Sequence, residues 1–290
     1  MKNLEDFLKP TQEELFKILC KKYPQAIINE GGFILVEGNA PVMLLAHLDT
    51  VHAEPVKEIC ATADGNILMS PQGIGGDDRC GCYALVKCYE SAEKKPWLLF
   101  TTDEEIGGVG AKKFCLDYRA GLLPAELNGL KLLVEIDRRG ENDAVYYDCD
   151  NPDFENYISS KDFETAHGSF SDISVIAPEL NLAAVNLSSG YYNAHTLHEY
   201  INRKHLERTI SKVLEIIDDA AQIDFPKYEY FQDCYFETSQ ALPEEHEEFY
   251  EALLEIYSAD ELNYYRKVFG DEVLREMYRE EIEGDTENED

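Results

Sequence analysis

Residues 97–108, WLLFTTDEEIGG, place three adjacent acids just past an apolar run. Trp97, Leu98, Leu99 and Phe100 suit a buried strand, and Asp103, Glu104 and Glu105 follow. Three neighbouring carboxylates repel one another, so either water screens them or cations hold them. Alone, such a triplet reads as a solvated loop, because acids are mostly exposed. Other strand-like runs in this chain, however, also lead into metal-ligand residues. His47 and Asp49 follow residues 42–46, and Asp77 and Asp78 lie in a glycine-rich loop after 67–69. Asp137 follows 130–136, and His195 comes past a Ser-Ser-Gly loop after 182–187. Two imidazoles and at least three carboxylates exceed the three protein ligands of a simple catalytic zinc site. Two cations sharing a bridging carboxylate fit the set better, and a spare acid beside them can serve as general base. The spacing His47-Leu48-Asp49 lets one imidazole nitrogen ligate while the other meets a carboxylate.

The elements that must position these residues alternate between strand and helix. Thr11 and Glu14 form a capping box ahead of Leu15, Ile18 and Leu19 at helical spacing. Strands are expected at 33–36 and 42–46, with a hairpin joining 56–60 to 67–69 through Asp64-Gly65-Asn66. Helix 80–91, strand 97–101, helix 109–118 and strand 130–136 follow. Residues 141–153 read as an acidic loop. Strands at 163–166 and 182–187 flank a short helix at 172–176, and 204–223 is a long amphipathic helix. Alternating strands and helices predict a three-layer α/β/α fold with a largely parallel sheet. In such sheets ligands bind beyond the carboxyl ends of the strands. All five ligand-bearing runs would then converge on one sheet edge.

The 290 residues are enough for one large domain, or for one domain with an appendage. The net charge of −32 argues against nucleic acid and anionic membrane surfaces as partners. No apolar run approaches the ~20 residues of a membrane span. The opening MKNLEDFLKP carries acids where a signal peptide is apolar, so a cytoplasmic location is expected. Eight cysteines form no CxxC pair, and they read as reduced thiols. Residues 227–290 carry 21 acids against 5 bases, which is half of the charge excess. They hold two amphipathic helical patterns, after Pro243 and after a capping box at Ser258–Glu261, and then an acidic tail expected to be disordered. The expected division is a catalytic domain at 1–226 and an acidic helical hairpin with its tail at 227–290.

Six motifs resemble those of the co-catalytic di-zinc exopeptidases: peptidase T, the aminoacylase and carboxypeptidase relatives, and the lidless di-zinc aminopeptidases. They are HLDT (47–50), GGDDRCG (75–81), TTDEEIGGVGA (101–111), EID (135–137), SFSD (169–172) and NAHTLHE (193–199), in the family's order. The resemblance implies that His47, Asp77 and Asp137 hold one metal and that Asp77, Glu105 and His195 hold the other. Asp77 would be the bridge, with a cis peptide following it. Glu104 would be the general base, and Asp49 would orient His47. His195 is preferred over His198 because Glu199 then falls where the pattern H-x-x-x-E expects an acid. Too few residues separate Asp137 from His195 to hold the lid domain of some relatives, so the lidless members are the nearer likeness. SFSD stands where relatives often carry GGTD.

His167, Tyr191 and Tyr192 are candidates for oxyanion or substrate contacts. His52, His205 and His246 read as solvated, and Cys80 and Cys82 as helix-packing residues. Arg138 and Arg139 read either as substrate contacts or as neutralising nearby acids, and the second reading is preferred. The expected function is a metal-dependent exopeptidase acting on short peptides as an aminopeptidase, through a metal-bridging water activated by Glu104. Its cofactors would be two divalent ions per chain, zinc first, with manganese or cobalt as alternatives. N-deacylation of a small amide is the alternative within this chemistry. An alternative of another class is a non-catalytic, metal-stabilised binding or scaffold protein. The expected partners are a peptide or amide substrate and a second copy of the chain, joined through the C-terminal extension.

Overall fold

The computed structural model describes residues 3–147, 151–223 and 225. The expected hairpin and tail at 227–290 lie outside the described residues. The chain opens with α1 (Glu5–Leu8) and α2 (Gln12–Lys22), where Thr11 and Glu14 close the capping box and Leu15 and Leu19 are buried. Strands β1 (Ile27–Asn29), β2 (Phe33–Val36) and β3 (Val42–His47) follow. Every residue of β2 and β3 is buried, as strands covered on both faces require. The hairpin forms between β4 (Cys60–Ala61) and β5 (Ile67–Met69). Its first arm is shorter than the 56–60 expected, because only Cys60 and Ala61 find partners on β5.

Next come α3 (Gly76–Ser91), β6 (Trp97–Thr101), α4 (Val109–Arg119), a 3₁₀ turn (Ala125–Gly129) and β7 (Leu132–Arg138). The stretch 141–153, expected as a loop, instead contains β8 (Asp143–Val145) and the start of α5 (Pro152–Ser159). Asn151 caps that helix with Pro152 in its first turn, a start signal that outweighs the acidic composition. β9 (Glu164–Thr165), α6 (Asp172–Leu180), β10 (Ala183–Ser188), β11 (Tyr191–Tyr192), β12 (Tyr200–Asn202) and α7 (Arg203–Ala220) complete the described chain.

Among the described residues the main sheet has eight strands in the order β1-β2-β6-β3-β7-β10-β8-β9. Its centre, β6-β3-β7-β10, is parallel. The crossover from β3 through α3 leads to β6 on one side, and the crossover from β6 through α4 leads back past β3 to β7. Right-handed crossovers in opposite directions put their helices on opposite faces. Accordingly α3 contacts α7, and α4 contacts α6. The result is the three-layer α/β/α arrangement expected from the sequence.

A separate four-stranded sheet has the order β11-β12-β5-β4. β5 was expected to belong to the main sheet, but it pairs with β12 instead. Its three residues carry too little pattern to fix a partner, and the pairing spans most of the domain's sequence. Asp77 therefore projects from the start of α3 rather than from a strand end, and His195 from the loop between β11 and β12. No described helix is long and apolar enough to cross a membrane. Cys20, Cys60, Cys80, Cys82, Cys88 and Cys115 are free thiols. Cys80 and Cys82 are buried within α3, as helix packing implied.

Candidate functional site

Strand β3 ends at His47, which is buried. Its Nδ1 lies 3.2 Å from Asp49 Oδ1, leaving Nε2 facing 3.2 Å to Asp77 Oδ1 and 3.6 Å to Asp137 Oδ1. Asp49 also accepts the backbone N–H groups of Glu104 and Glu105, at 3.1 and 3.0 Å. One carboxylate thus fixes both the imidazole and the acidic loop after β6. That loop places Glu104 Oε2 3.9 Å from His47 Nε2.

At the head of α3 the neighbouring acids diverge. Asp78 is wholly buried and accepts from Gly81 N at 2.9 Å and from His47 N at 3.3 Å. Asp77 faces the site, and its Oδ2 lies 3.2 Å from His195 Nε2. The Asp77–Asp78 peptide is cis, as the resemblance implied. Gly81 lets α3 lie close to β7, since a Cβ there would come within 2.2 Å of the Ile136 carbonyl oxygen. His195 has a positive φ of 63°, is half exposed, and lies 3.2 Å from Glu105 Oε2.

The potential donor atoms gather into cation-sized groups. His47, Asp77 and Asp137 form one, and Asp77, Glu105 and His195 form a second, with atoms within 4.8 Å of one another in each. Asp77 belongs to both. A third grouping, His47 with Glu104 and Glu105, satisfies the same distance. Glu105 Oε1 and Asp137 Oδ1 are buried and have no hydrogen-bond partner. Buried acceptors without donors are costly, and a divalent ion would satisfy them. Mixed imidazole and carboxylate donors suit zinc and also manganese or cobalt.

The electrostatics reflect this crowding of acids. Burial pushes Glu104 up to about 8; His47 opposes the shift, while Asp137, Asp172 and Glu105 add to it. Burial and Asp77 raise Asp137 to about 7 against the pull of His47. Burial alone would lower His47, but Asp137, Asp49 and Asp77 lift it well above its ordinary value. The Asp77 hydrogen bond, against some burial, lifts His195 to about 9, and Glu105 helps.

Asp77, Glu104, Glu105, Asp137 and His195 line a cavity of about 440 Å³, together with Arg139, Tyr147, Phe170, Asn186 and Tyr191. Tyr191 donates its hydroxyl to the Asp137 carbonyl at 3.3 Å. The other two contact candidates lie elsewhere. Tyr192 points its hydroxyl at His205 and stacks on Tyr200, and His167 is exposed and outside the cavity lining. Neither arginine neutralises a ligand-type acid by direct pairing. Arg138 donates to the His167 carbonyl and faces Asp143, and Arg139 makes no ion pair among the described residues. His52 and His205 are not solvated but partnered, with Glu199 and with Tyr192 and Glu141 respectively.

A supporting layer lies behind these residues that their types and spacing do not announce. Ser171 Oγ bridges Glu135 at 2.6 Å and Asp137 at 3.1 Å, and the side-chain Oδ1 of Asn186 accepts from Asp137 N at 2.9 Å. One signal was present. Glu135 and Asp137 are two apart on a strand and so share a face.

No protein-family model matches this sequence, and no curated protein sequence matches it. Solved structures do. The chain is similar to a tripeptidase from Staphylococcus aureus, with a TM-score of 0.57 and 16% identity over 76% of this chain and 97% of that one. It is similar to the aminopeptidase PepT from Bacillus cereus, with a TM-score of 0.56 and 15% identity over 76% and 99%. It is also similar to the Pyrococcus horikoshii TET1 peptidase, with a TM-score of 0.54 and 14% identity over 74% and 98%. The chain has the fold of these peptidases.

Proposed function

From that shared fold and the two donor groups joined at Asp77, we propose that the chain is a metal-dependent exopeptidase acting on short peptides. The observation that carries this reading is Asp77 offering one oxygen toward His47 and the other toward His195. His47, Asp77 and Asp137 would hold one divalent ion, and Asp77, Glu105 and His195 the other, with zinc the first choice. When bound, the ions supply Lewis acidity toward the scissile carbonyl and the attacking water.

The chain's own residues supply the rest. Glu104 takes a proton from the attacking water and delivers it to the leaving nitrogen, a role open to a carboxylate that lines the cavity, lies 3.9 Å from His47 Nε2 and belongs to neither donor group joined at Asp77. Asp49 keeps His47 and the Glu104–Glu105 backbone in register. Removal of N-terminal residues is the primary activity, in keeping with the likeness of the motifs to those of the lidless aminopeptidases. A spare base also argues against a purely structural metal site.

Arg139, on the cavity wall and without an ion pair among the described residues, supports a second reading. A guanidinium there suits a substrate carboxylate, as in deacylation of an N-acyl amino acid.

The test is hydrolysis of a peptide library and of N-acyl amino acids by metal-saturated protein, with zinc, manganese or cobalt. Sequential loss of N-terminal residues, blocked by N-acetylation, is expected. Cleavage confined to N-acyl amino acids would establish the second reading. Two bound ions without any hydrolysis would leave a binding or scaffold protein.

A further inference from the structure

Glu199 is 0% exposed and belongs to neither donor group joined at Asp77. Its Oε1 accepts from Asp77 N at 3.0 Å. Its Oε2 accepts from Gly75 N at 3.0 Å and lies 2.8 Å from His52 Nε2. The two N–H groups need an outside acceptor. The first N–H groups of a helix have no carbonyl partner within it. Gly75, at the N-cap, has no side chain to cap with, and Asp77 has non-helical angles, φ −81° and ψ 104°.

The packing around this contact is close. A Cβ on Gly76 would come 2.6 Å from Tyr191 Cβ and 3.1 Å from Glu199 Oε1. A Cβ on Gly73 would come 2.3 Å from the His52 ring. The segment carrying Glu199 also presents His195 to the site, so one short piece of chain holds Asp77 at its backbone and faces it at its side chain.

We propose that Glu199 and His52 are positioning residues that set where Asp77 presents its two oxygens to two cations. The inference rests on the two-metal reading above. Because Asp77 belongs to both donor groups, displacing its backbone degrades both cation sites together. Glu199→Gln keeps the side chain's shape but turns an amide NH2 donor toward a backbone N–H donor. His52→Ala removes one partner of Glu199 and leaves the two N–H bonds.

The experiment is calorimetric titration of the metal-stripped full chain with zinc chloride, alongside thermal unfolding of the metal-free proteins. Wild type is expected to take up two ions. Glu199→Gln should weaken both by about 10- to 100-fold, and His52→Ala by less. The double variant should bind no worse than Glu199→Gln alone, since both act through one contact. Wild-type zinc affinity in Glu199→Gln with only a lowered unfolding temperature would assign Glu199 a merely structural role and overturn the proposal. Additive losses would overturn the link through His52. If Glu199→Gln does not fold, His52→Ala decides, and undiminished affinity there overturns the proposal. A wild-type chain that binds no zinc removes the two-metal reading itself, and the proposal with it.

Discussion

Glu104 and Glu105 are neighbours in sequence, but their carboxylates face different imidazoles. Glu105 Oε2 lies 3.2 Å from His195, while Glu104 Oε2 stands 3.9 Å from His47. Glu104→Gln is therefore expected to lower kcat by about 10²- to 10⁴-fold while two ions stay bound. Glu105→Gln should instead lose metal. Elemental analysis beside steady-state kinetics separates the two, and a Glu104→Gln protein that loses an ion would make Glu104 a ligand, as the third donor grouping allows. At this scale the sequence was informative where residue type and local spacing carry chemistry. His47 and Asp49 stand two apart, and Glu104 and Glu105 are adjacent; both spacings survive in the fold. The partners that hold these residues were not legible. His52 and Glu199 meet across 147 positions, and Asp137 and Asn186 across 49. No local pattern announces such pairs.

Elements were legible in proportion to their length and burial. β3, β6 and β7 are largely buried strands of five to seven residues, and they emerge within two residues of where the sequence places them. β5, β11 and β12 have two or three residues each, and their assembly into a second sheet depends on non-local pairing. The packing of α3 against β7 rests on Gly81, where an added Cβ would come 2.2 Å from the Ile136 carbonyl and 2.4 Å from Asp78 Oδ1. Gly81→Ala must push the start of α3 away from the sheet, at a cost of about 1–3 kcal/mol for overpacking. Asp77 and Asp78 are in that first turn, so the same variant is expected to weaken metal binding as well as lower Tm. Denaturant unfolding with and without zinc checks both effects. Wild-type zinc affinity in a destabilised Gly81→Ala protein would show that the start of α3 can shift without moving Asp77.

The whole molecule carries a net charge of −32, and half of it resides in 227–290. Amphipathic sequence patterns of about fifteen residues do not form stable helices alone, so we propose that this segment joins copies of the chain. Deletion after Pro226 is expected to cause aggregation or a changed assembly mass in light scattering; an unchanged mass and Tm would make the segment a free appendage. The remaining excess includes the acids of the site, and there protonation couples to stability. Burial lifts Asp172 to about 6, Asp137 to about 7 and Glu104 to about 8, and Asp77 and Glu105 together lift His195 to about 9. Asp77 and Asp49 shift the other way, held low by His195 and His47 and by His47 respectively despite burial. For the raised groups the folded state holds protons that the unfolded chain has released. Their contribution to stability is complete below the unfolded values, about 4 for the carboxyls and about 6.5 for histidine. It is lost as pH rises through the folded values. Asp77 and Asp49 oppose this only below about pH 4, where the unfolded carboxyls regain their protons. Metal-free protein is therefore expected to lose Tm steadily from about pH 5 to about pH 8. Bound divalent ions replace those protons, so saturation with zinc should flatten the slope and release protons into a weak buffer. Tm measured across that range, with chelator and with zinc, checks both signs. A metal-free Tm that rises with pH would mean that the site acids are already ionised without a cation, and that the fold tolerates their repulsion unaided.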